Sequence, residues 1–162
     1  MKSETKSPNR KVRKSRHELP KTILCVSTYD GARGPMMKAI LANCLQEAGI
    51  LAQVESAGIH ADIGLRAELE AIEVLKAIGL DISNHRSRPI SAINSLDRFD
   101  LIIADEETAN HLRRLGPVPD ICIPDATSND MVTPRKGNRE SFDRCLRGLL
   151  RAAVDVENIY FS

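Results

Sequence analysis

The sequence predicts an α/β fold in which a four-stranded parallel sheet is covered by helices on both faces. Apolar runs of strand length alternate four times with longer segments whose apolar residues recur every three or four positions. The first run, Thr22 to Val26, is apolar almost throughout, as is typical of a strand that is buried on both sides. Strands that alternate with helices imply crossover connections and one three-layer domain.

The individual elements follow from these periodicities and from glycine stop signals. Strands are expected at Thr22 to Val26, Leu51 to Ala57, Asp100 to Ala104 and Asp120 to Ile123. Helices are expected at 36–48, 66–78, 106–115 and 139 to about 158, with a further short helix at 92–96. In the second helix, the buried face is expected to consist of Leu69, Ile72, Leu75 and Ile78. Gly49, Gly79 and Gly116 are expected to end the first three helices.

The charges divide the chain into two parts. Residues 1–21 contain eight Lys and Arg against two Asp and Glu, and they hold too few apolar residues to form a core, so a disordered basic tail is predicted there. Residues 22–162 are expected to form the domain, with a net charge of −5. The tail is either a solvated arm or a docking arm for nucleic acid or another polyanion. A membrane span and a secretion signal are not predicted, which favours a cytoplasmic location.

The four cysteines, Cys25, Cys44, Cys122 and Cys145, fall inside predicted strands and helices rather than in loops. We therefore expect reduced, buried thiols instead of a disulfide framework. Their spacing does not match that of metal ligands, and neither a metal nor a cofactor is predicted.

A polar loop joins the first strand to the first helix, and it has the features of an anion site. Five residues separate Ser27 from Arg33, and Pro35 lies in the first turn of the helix, where a missing N–H is tolerated. Such a loop directs backbone N–H groups and the positive end of the helix dipole at one point. Arg33 adds a planar set of donors that suits phosphate oxygens. The phosphate-binding residues are expected to be Ser27, Thr28, Tyr29, Asp30, Gly31, Ala32, Arg33 and Gly34.

This loop resembles the phosphate-binding loop of the low-molecular-weight protein tyrosine phosphatases, in its spacing and in Arg33, Pro35 and Met36. The resemblance extends to four further segments in the family's order, which are Val54 to Gly58, Asn84 to Arg88, Phe99 to Ala104 and Pro124-Asp125. It implies the family's single-domain fold (phosphotyrosine phosphatase I-like). It also implies that Asp125 is the general acid and that Ser56 and His85 lie behind the loop as positioning residues.

Three positions of the loop depart from the family pattern. Ser27 stands where the family has its nucleophilic cysteine, and Gly34 stands where it has a serine after the arginine. Asp30 replaces an asparagine, and we expect it to adopt a left-handed conformation with its carboxylate turned outward, toward the loop backbone or His85. The aromatic residues that follow the acid in the family are absent, since Ala126 and Thr127 stand there.

Two functions are compatible with these departures. The first is a pseudophosphatase, catalytically impaired, that retains a site for phosphate or sulfate and acts by binding, for example to a phosphorylated or acidic protein. The second is an active, divergent phosphatase that hydrolyses phosphate monoesters with Ser27 or water as the nucleophile and Asp125 as acid or base. Loss of both the thiol and the supporting hydroxyl favours the first.

Overall fold

The computed structural model describes residues 19–124 and 133–162 of the chain. Its strands are β1 (Thr22–Ser27), β2 (Gln53–Gly58), β3 (Leu101–Ile103) and β4 (Asp120–Cys122). Its helices are α1 (Arg33–Glu47), α2 (Leu69–Lys76), α3 (Glu106–Leu115) and α4 (Arg139–Tyr160). Asp125 and the basic segment 1–18 lie outside the described residues, so the general acid and most of the tail stay predictions.

The four strands form one parallel sheet in the order β2-β1-β3-β4. β1 is therefore central, with β2 on one side and β3 on the other. Its side chains alternate between the two faces, and because both faces are covered, all of the residues from Ile23 to Ser27 are buried. This confirms the predicted fold class, a parallel α/β sheet within a single domain.

Two apolar clusters fill the space on either side of the sheet. One contains Ile23 and Cys25 of β1 with residues of α1, α2 and α4, and its largest members include Met36, Leu41 and Phe142. The other contains Leu24 and Val26 with residues of α3, notably Leu112, and is closed by Phe99. Helices thus cover both faces of the sheet. In the described part of the chain, none of the helices is long and apolar enough to span a membrane.

Several element boundaries differ from the predictions. α1 begins at Arg33, three residues earlier than expected, so the arginine belongs to the helix rather than to the loop. The predicted short helix at 92–96 is replaced by two 3₁₀ turns, at Ile90–Ala92 and Leu96–Arg98. Cys44 is only partly buried, unlike the other three cysteines.

The predicted buried face of α2 was only partly right. Leu69 is 65% exposed and Ile78, beyond the end of the helix, is 47% exposed. Leu75 is buried as predicted and Ile72 packs partly buried against the core, but the fully buried stripe is Ala71, Val74 and Leu75. These residues are also spaced three and four apart, and the small Ala71 side chain lets this stripe approach the neighbouring elements. A pattern of the largest apolar residues misses part of this buried stripe, because Ala71 contributes little to a hydropathy pattern.

Candidate functional site

The sheet topology determines where a site can form. The chain leaves β1 toward β2 on one side and returns to β3 on the other, so the connections diverge at the carboxyl end of β1. A crevice opens at such a switch point in parallel α/β sheets. The connection from Ser27 to Arg33 lies there, between β1 and α1.

The start of α1 leaves backbone donors available to this crevice. Its N-cap residue is Ala32, which has no side-chain acceptor for the first N–H groups of the helix. These groups and the helix dipole make the end of α1 attractive to an anion. A small cavity of about 60 Å³ opens here, and it is lined by Ser27, Thr28, Tyr29, Gly31, Ala32, Arg33, Glu68, Thr133 and Pro134.

Arg33 is held by two side chains at the edge of this cavity. Its Nη1 donates to Oδ2 of Asp105 over 2.8 Å, and its Nη2 donates to the Thr28 hydroxyl over 3.2 Å. Asp105 follows β3, and its other oxygen accepts from the backbone N–H of Thr108 over 2.7 Å, which caps α3. Burial would raise the pKa of Asp105, but the hydrogen bonds from Thr108 and Arg33 outweigh it and lower that pKa. The guanidinium is consequently fixed in place by an ionised carboxylate.

Ser27 ends β1 with its side chain close to Gly34. A Cβ atom on Gly34 would lie 2.8 Å from the Ser27 hydroxyl oxygen and 3.1 Å from Oδ1 of Asp30. The hydroxyl oxygen also accepts a hydrogen bond of 3.3 Å from the backbone N–H of Asp30. The serine at 27 and the glycine at 34 are thus coupled sterically, because any side chain at 34 requires the Ser27 hydroxyl to move.

Asp30 approaches His85 as expected, with Oδ2 3.6 Å from Nε2, but its carboxylate is buried rather than turned outward. It has the left-handed conformation (φ 54°), but its side chain is fully buried beneath the loop. Its Oδ2 accepts from the backbone N–H of Arg88 over 3.0 Å, and its carbonyl oxygen lies 2.8 Å from Nε2 of His85. The polar partners available to Asp30 lie behind the loop, in segment 85–88, and this explains the inward orientation.

The carboxyl group of Asp30 is incompletely hydrogen-bonded. Among the described residues, its buried Oδ1 has no hydrogen-bond partner. Burial raises the pKa of Asp30, and this outweighs the opposing effects of Ser56, His85 and Arg88. A raised pKa favours the neutral acid, which reduces repulsion between Asp30 and an anion in the loop above it.

Gly58 at the end of β2 allows the loop to approach the sheet. A Cβ atom there would lie 2.8 Å from both the backbone nitrogen of Asp30 and the carbonyl oxygen of Thr28. The next two residues hold the loop, since the N–H of Ile59 donates to the carbonyl of Ser27 and that of His60 to the carbonyl of Thr28. The base of the loop therefore rests on a position without a side chain.

Cys25 is the cysteine of β1, two residues before Ser27. It is 2% exposed, pairs with Ser56 of β2 and Ile103 of β3, and belongs to the core beneath α1 and α4. Burial raises the pKa of its thiol to about 12. A protonated, enclosed thiol is a poor nucleophile.

The structure brings the predicted loop residues together with Ser56 and His85. Two further residues at the site, Asp105 and Glu68, were missed from the sequence. Asp105 carried a usable signal, because an aspartate between a strand and a helix is a typical N-cap and lies at the same sheet edge as the loop. Glu68 carried none, because only the fold brings the residue before α2 to the loop.

Comparisons with known proteins agree on one family. The family described as "Low molecular weight phosphotyrosine protein phosphatase" matches residues 22–153. A probable low molecular weight protein-tyrosine-phosphatase, EpsP of Ralstonia solanacearum, is 37% identical over 142 residues, which are 84% of this chain and 92% of that protein.

Solved structures give the same result. Wzb of Vibrio vulnificus, in complex with benzylphosphonate, is 26% identical and has a TM-score of 0.73, covering 83% of this chain and 94% of that one. The Drosophila arginine phosphatase is also 26% identical, with a TM-score of 0.74, covering 86% of this chain and 98% of that one.

Proposed function

Since this chain belongs to the low molecular weight phosphotyrosine protein phosphatase family, we propose that its 27–34 loop binds a phosphate or sulfate group and that the protein acts by binding, with its catalysis impaired. The observation that carries the proposal is Ser27, which occupies the end of β1 at the five-residue spacing from Arg33. The anion-binding groups, which are the end of α1 and the Arg33 guanidinium, do not depend on a thiol. Binding of benzylphosphonate by the Vibrio relative supports this use of the loop.

A serine in this position is a weak nucleophile unless a base removes its proton. The loop 27–34 contains neither histidine nor lysine. Cys25 offers no substitute, because its thiol is enclosed by the sheet and its pKa is raised to about 12. The relatives are named for tyrosine and for arginine phosphatase activity, so family membership alone does not select a ligand. We propose a phosphorylated or acidic protein as the partner.

One observation favours the alternative, a slow phosphatase that uses Ser27. Oδ1 of Asp30 is buried without a partner among the described residues, and it lies against Gly34, as the Ser27 hydroxyl does. Oδ1 does not accept a hydrogen bond from the Ser27 hydroxyl in this structure, but a carboxylate with a raised pKa that came within hydrogen-bonding distance of it would act as a general base. In that mechanism, Ser27 would carry the phosphoryl group as an intermediate, and Asp125 would protonate the leaving oxygen.

The binding proposal is tested by titrating the protein with inorganic phosphate and following the amide chemical shifts of residues 28–34. We expect a dissociation constant on the order of 0.1 to 10 mM, or roughly −5.5 to −2.7 kcal/mol. Arg33→Ala should abolish binding, because it removes the guanidinium. Ser27→Ala should change the constant by less than about tenfold, because the backbone donors remain. If wild-type shifts are unchanged at phosphate concentrations well above this range, the loop is not an anion site.

Turnover of a small aryl phosphate separates the two functions. We expect no wild-type activity above buffer, and measurable activity in a Ser27→Cys, Gly34→Ser double variant, in which thiol and supporting hydroxyl are both present. Cys25→Ser is the matched control, since it removes the enclosed thiol without touching the loop. Phosphoserine at Ser27, found by mass spectrometry, would support the alternative. Wild-type turnover that Cys25→Ser abolishes would contradict both assignments.

A further inference from the structure

Glu68 gives the anion-binding cavity a second recognition group. We propose that the cavity takes a phosphate-bearing ligand that also carries a cationic nitrogen, and that the Glu68 carboxylate binds this nitrogen. This inference rests on the proposed function, because it needs the phosphate group to lie in the 27–34 loop.

Glu68 is fixed against the loop by its backbone. It directly precedes α2, and its N–H donates to the carbonyl oxygen of Gly31 over 2.8 Å. Its side chain lies over the same residue, since Cγ and Oε1 are each 3.9 Å from the point where a Cβ of Gly31 would be. Because Gly31 has no side chain, Glu68 reaches the cavity wall that Thr28 and Arg33 also line.

The carboxylate of Glu68 is unpartnered. Within residues 19–124 and 133–162, its side chain makes neither a hydrogen bond nor an ion pair, although Glu70 and Glu73 on the same helix both do. Glu70 accepts from the backbone N–H of Gly137 over 3.0 Å, and Glu73 pairs with Arg139 over 3.3 Å. The cation that lines the same cavity, Arg33, is engaged by Asp105, so a ligand can supply a positive charge for Glu68.

The charges around the loop explain why a purely anionic ligand is disfavoured. Arg33 is already paired with Asp105 over 2.8 Å, so much of its charge is neutralised before a ligand arrives. Glu68 then adds a negative charge to the wall of the same cavity. A phosphate dianion is attracted by the backbone donors but repelled by Glu68. A cationic nitrogen on the ligand converts that repulsion into attraction.

The size of the cavity indicates where the two ligand groups lie. Its volume is about 60 Å³, and the backbone donors at the start of α1 attract the phosphate into it. The nitrogen must then lie at the mouth, beside Glu68, a short chain away from phosphorus. Tyr29, which also lines the cavity, is 62% exposed and does not itself cover the mouth. Phosphorylated short-chain amines have this arrangement of charges.

The test compares O-phosphoethanolamine with ethyl phosphate, which has the same carbon chain but lacks the ammonium group. We expect the wild-type protein to bind phosphoethanolamine up to about fivefold more tightly, the advantage of a partly exposed ion pair. Glu68→Gln should remove this preference and strengthen the binding of ethyl phosphate and inorganic phosphate. Glu70→Gln is the matched control, and it should keep the wild-type preference.

The outcomes distinguish this inference from the proposed function. If both esters and inorganic phosphate bind equally well and Glu68→Gln changes nothing, the inference is wrong while anion binding stands. A wild-type preference for ethyl phosphate would also overturn it, as would a preference for phosphoethanolamine that survives in Glu68→Gln. If none of the three anions binds, both the inference and the proposed function fail.

Discussion

Asp30 shows how one residue can be correct in backbone conformation and wrong in orientation. Its left-handed conformation was predictable, because aspartate tolerates positive φ better than most residues. The direction of its side chain was not, because this depends on the backbone N–H of Arg88, fifty-eight positions away. The sequence predicts a carboxylate that is turned outward, toward the loop backbone or His85. The structure makes it a buried acid with a raised pKa and an unpartnered Oδ1.

The first prediction at this scale concerns Asp30→Asn. Because its pKa is raised in the folded protein, wild-type stability should be complete below the ordinary aspartate pKa and should fall as the pH rises through the raised value. Asparagine cannot ionise, and its amide can still accept from the N–H of Arg88. We expect the variant to be more stable than wild type above that pH, because it carries no buried charge, by about 1.4 kcal/mol for each unit by which the pKa of Asp30 is raised.

Thermal unfolding between pH 4 and pH 8 measures this effect. The advantage of the variant should shrink toward pH 4, because Asp30 of the folded protein becomes protonated on the way. Asp62→Asn, at an exposed site, is the control and should follow wild type at every pH. A stability gap that is constant with pH would show that Asp30 does not titrate over this range.

At the scale of single elements, the helices show most clearly where the hydropathy patterns predicted the structure and where they did not. The predicted limits of α3, 106–115, were confirmed. The helix has an aspartate cap at its start, apolar residues at regular helical spacing, and a glycine after its last residue. The face of α2 was only partly right, because the buried stripe contains the small Ala71 beside the predicted Leu75, while the larger Leu69 is exposed. An apolar period of three and four residues identifies a helix. The face that the helix buries also depends on which side chains are small enough for neighbouring elements to pack closely against them.

The second prediction concerns the start of α3. Asp105→Ala should lower the free energy of unfolding by about 1 kcal/mol, the usual loss when an N-cap is removed. For a domain of this size, this corresponds to a melting temperature lower by roughly 2–4 °C. Asp105→Asn should retain most of this stability, because asparagine also caps helices. The pKa of Asp105 is lowered, so the difference between wild type and Asp105→Ala should be present above the ordinary aspartate pKa and disappear as the pH falls through the lowered one. If Asp105→Ala and Asp105→Asn lose the same stability, the loss comes from the ion pair between Asp105 and Arg33 rather than from the helix cap.

At the scale of the whole molecule, the basic N-terminal segment raises a separate question. Its eight cations precede a domain with a net charge of −5. Our third prediction is that the full chain binds a polyanion with an affinity that falls steeply with added salt, through counterion release. Deletion of residues 2–20 should abolish this binding and leave the melting temperature unchanged. A lower melting temperature after the deletion would show that the segment contributes to the fold.

The topology brings four separated parts of the chain to the loop. α1 contributes Arg33, the segment after β3 contributes Asp105, segment 85–88 supports Asp30, and the residue before α2 contributes Glu68. The family's motifs identify the first and third of these, which are Arg33 and the segment that contains His85. Asp105 and Glu68 lie outside those motifs, so their contacts with the loop required the three-dimensional arrangement.

Gly58 limits how this protein can change over evolutionary time. Its neighbours within 3 Å of a virtual Cβ include two backbone atoms of the loop, and backbone cannot move aside as a side-chain tip can. Substitution of Gly58 by any residue with a side chain is therefore excluded as long as the loop keeps its shape. Positions 27 and 34, by contrast, meet through a rotatable hydroxyl, so they can vary together. In proteins descended from this one, the residues at positions 27 and 34 can therefore change together while Gly58 is retained.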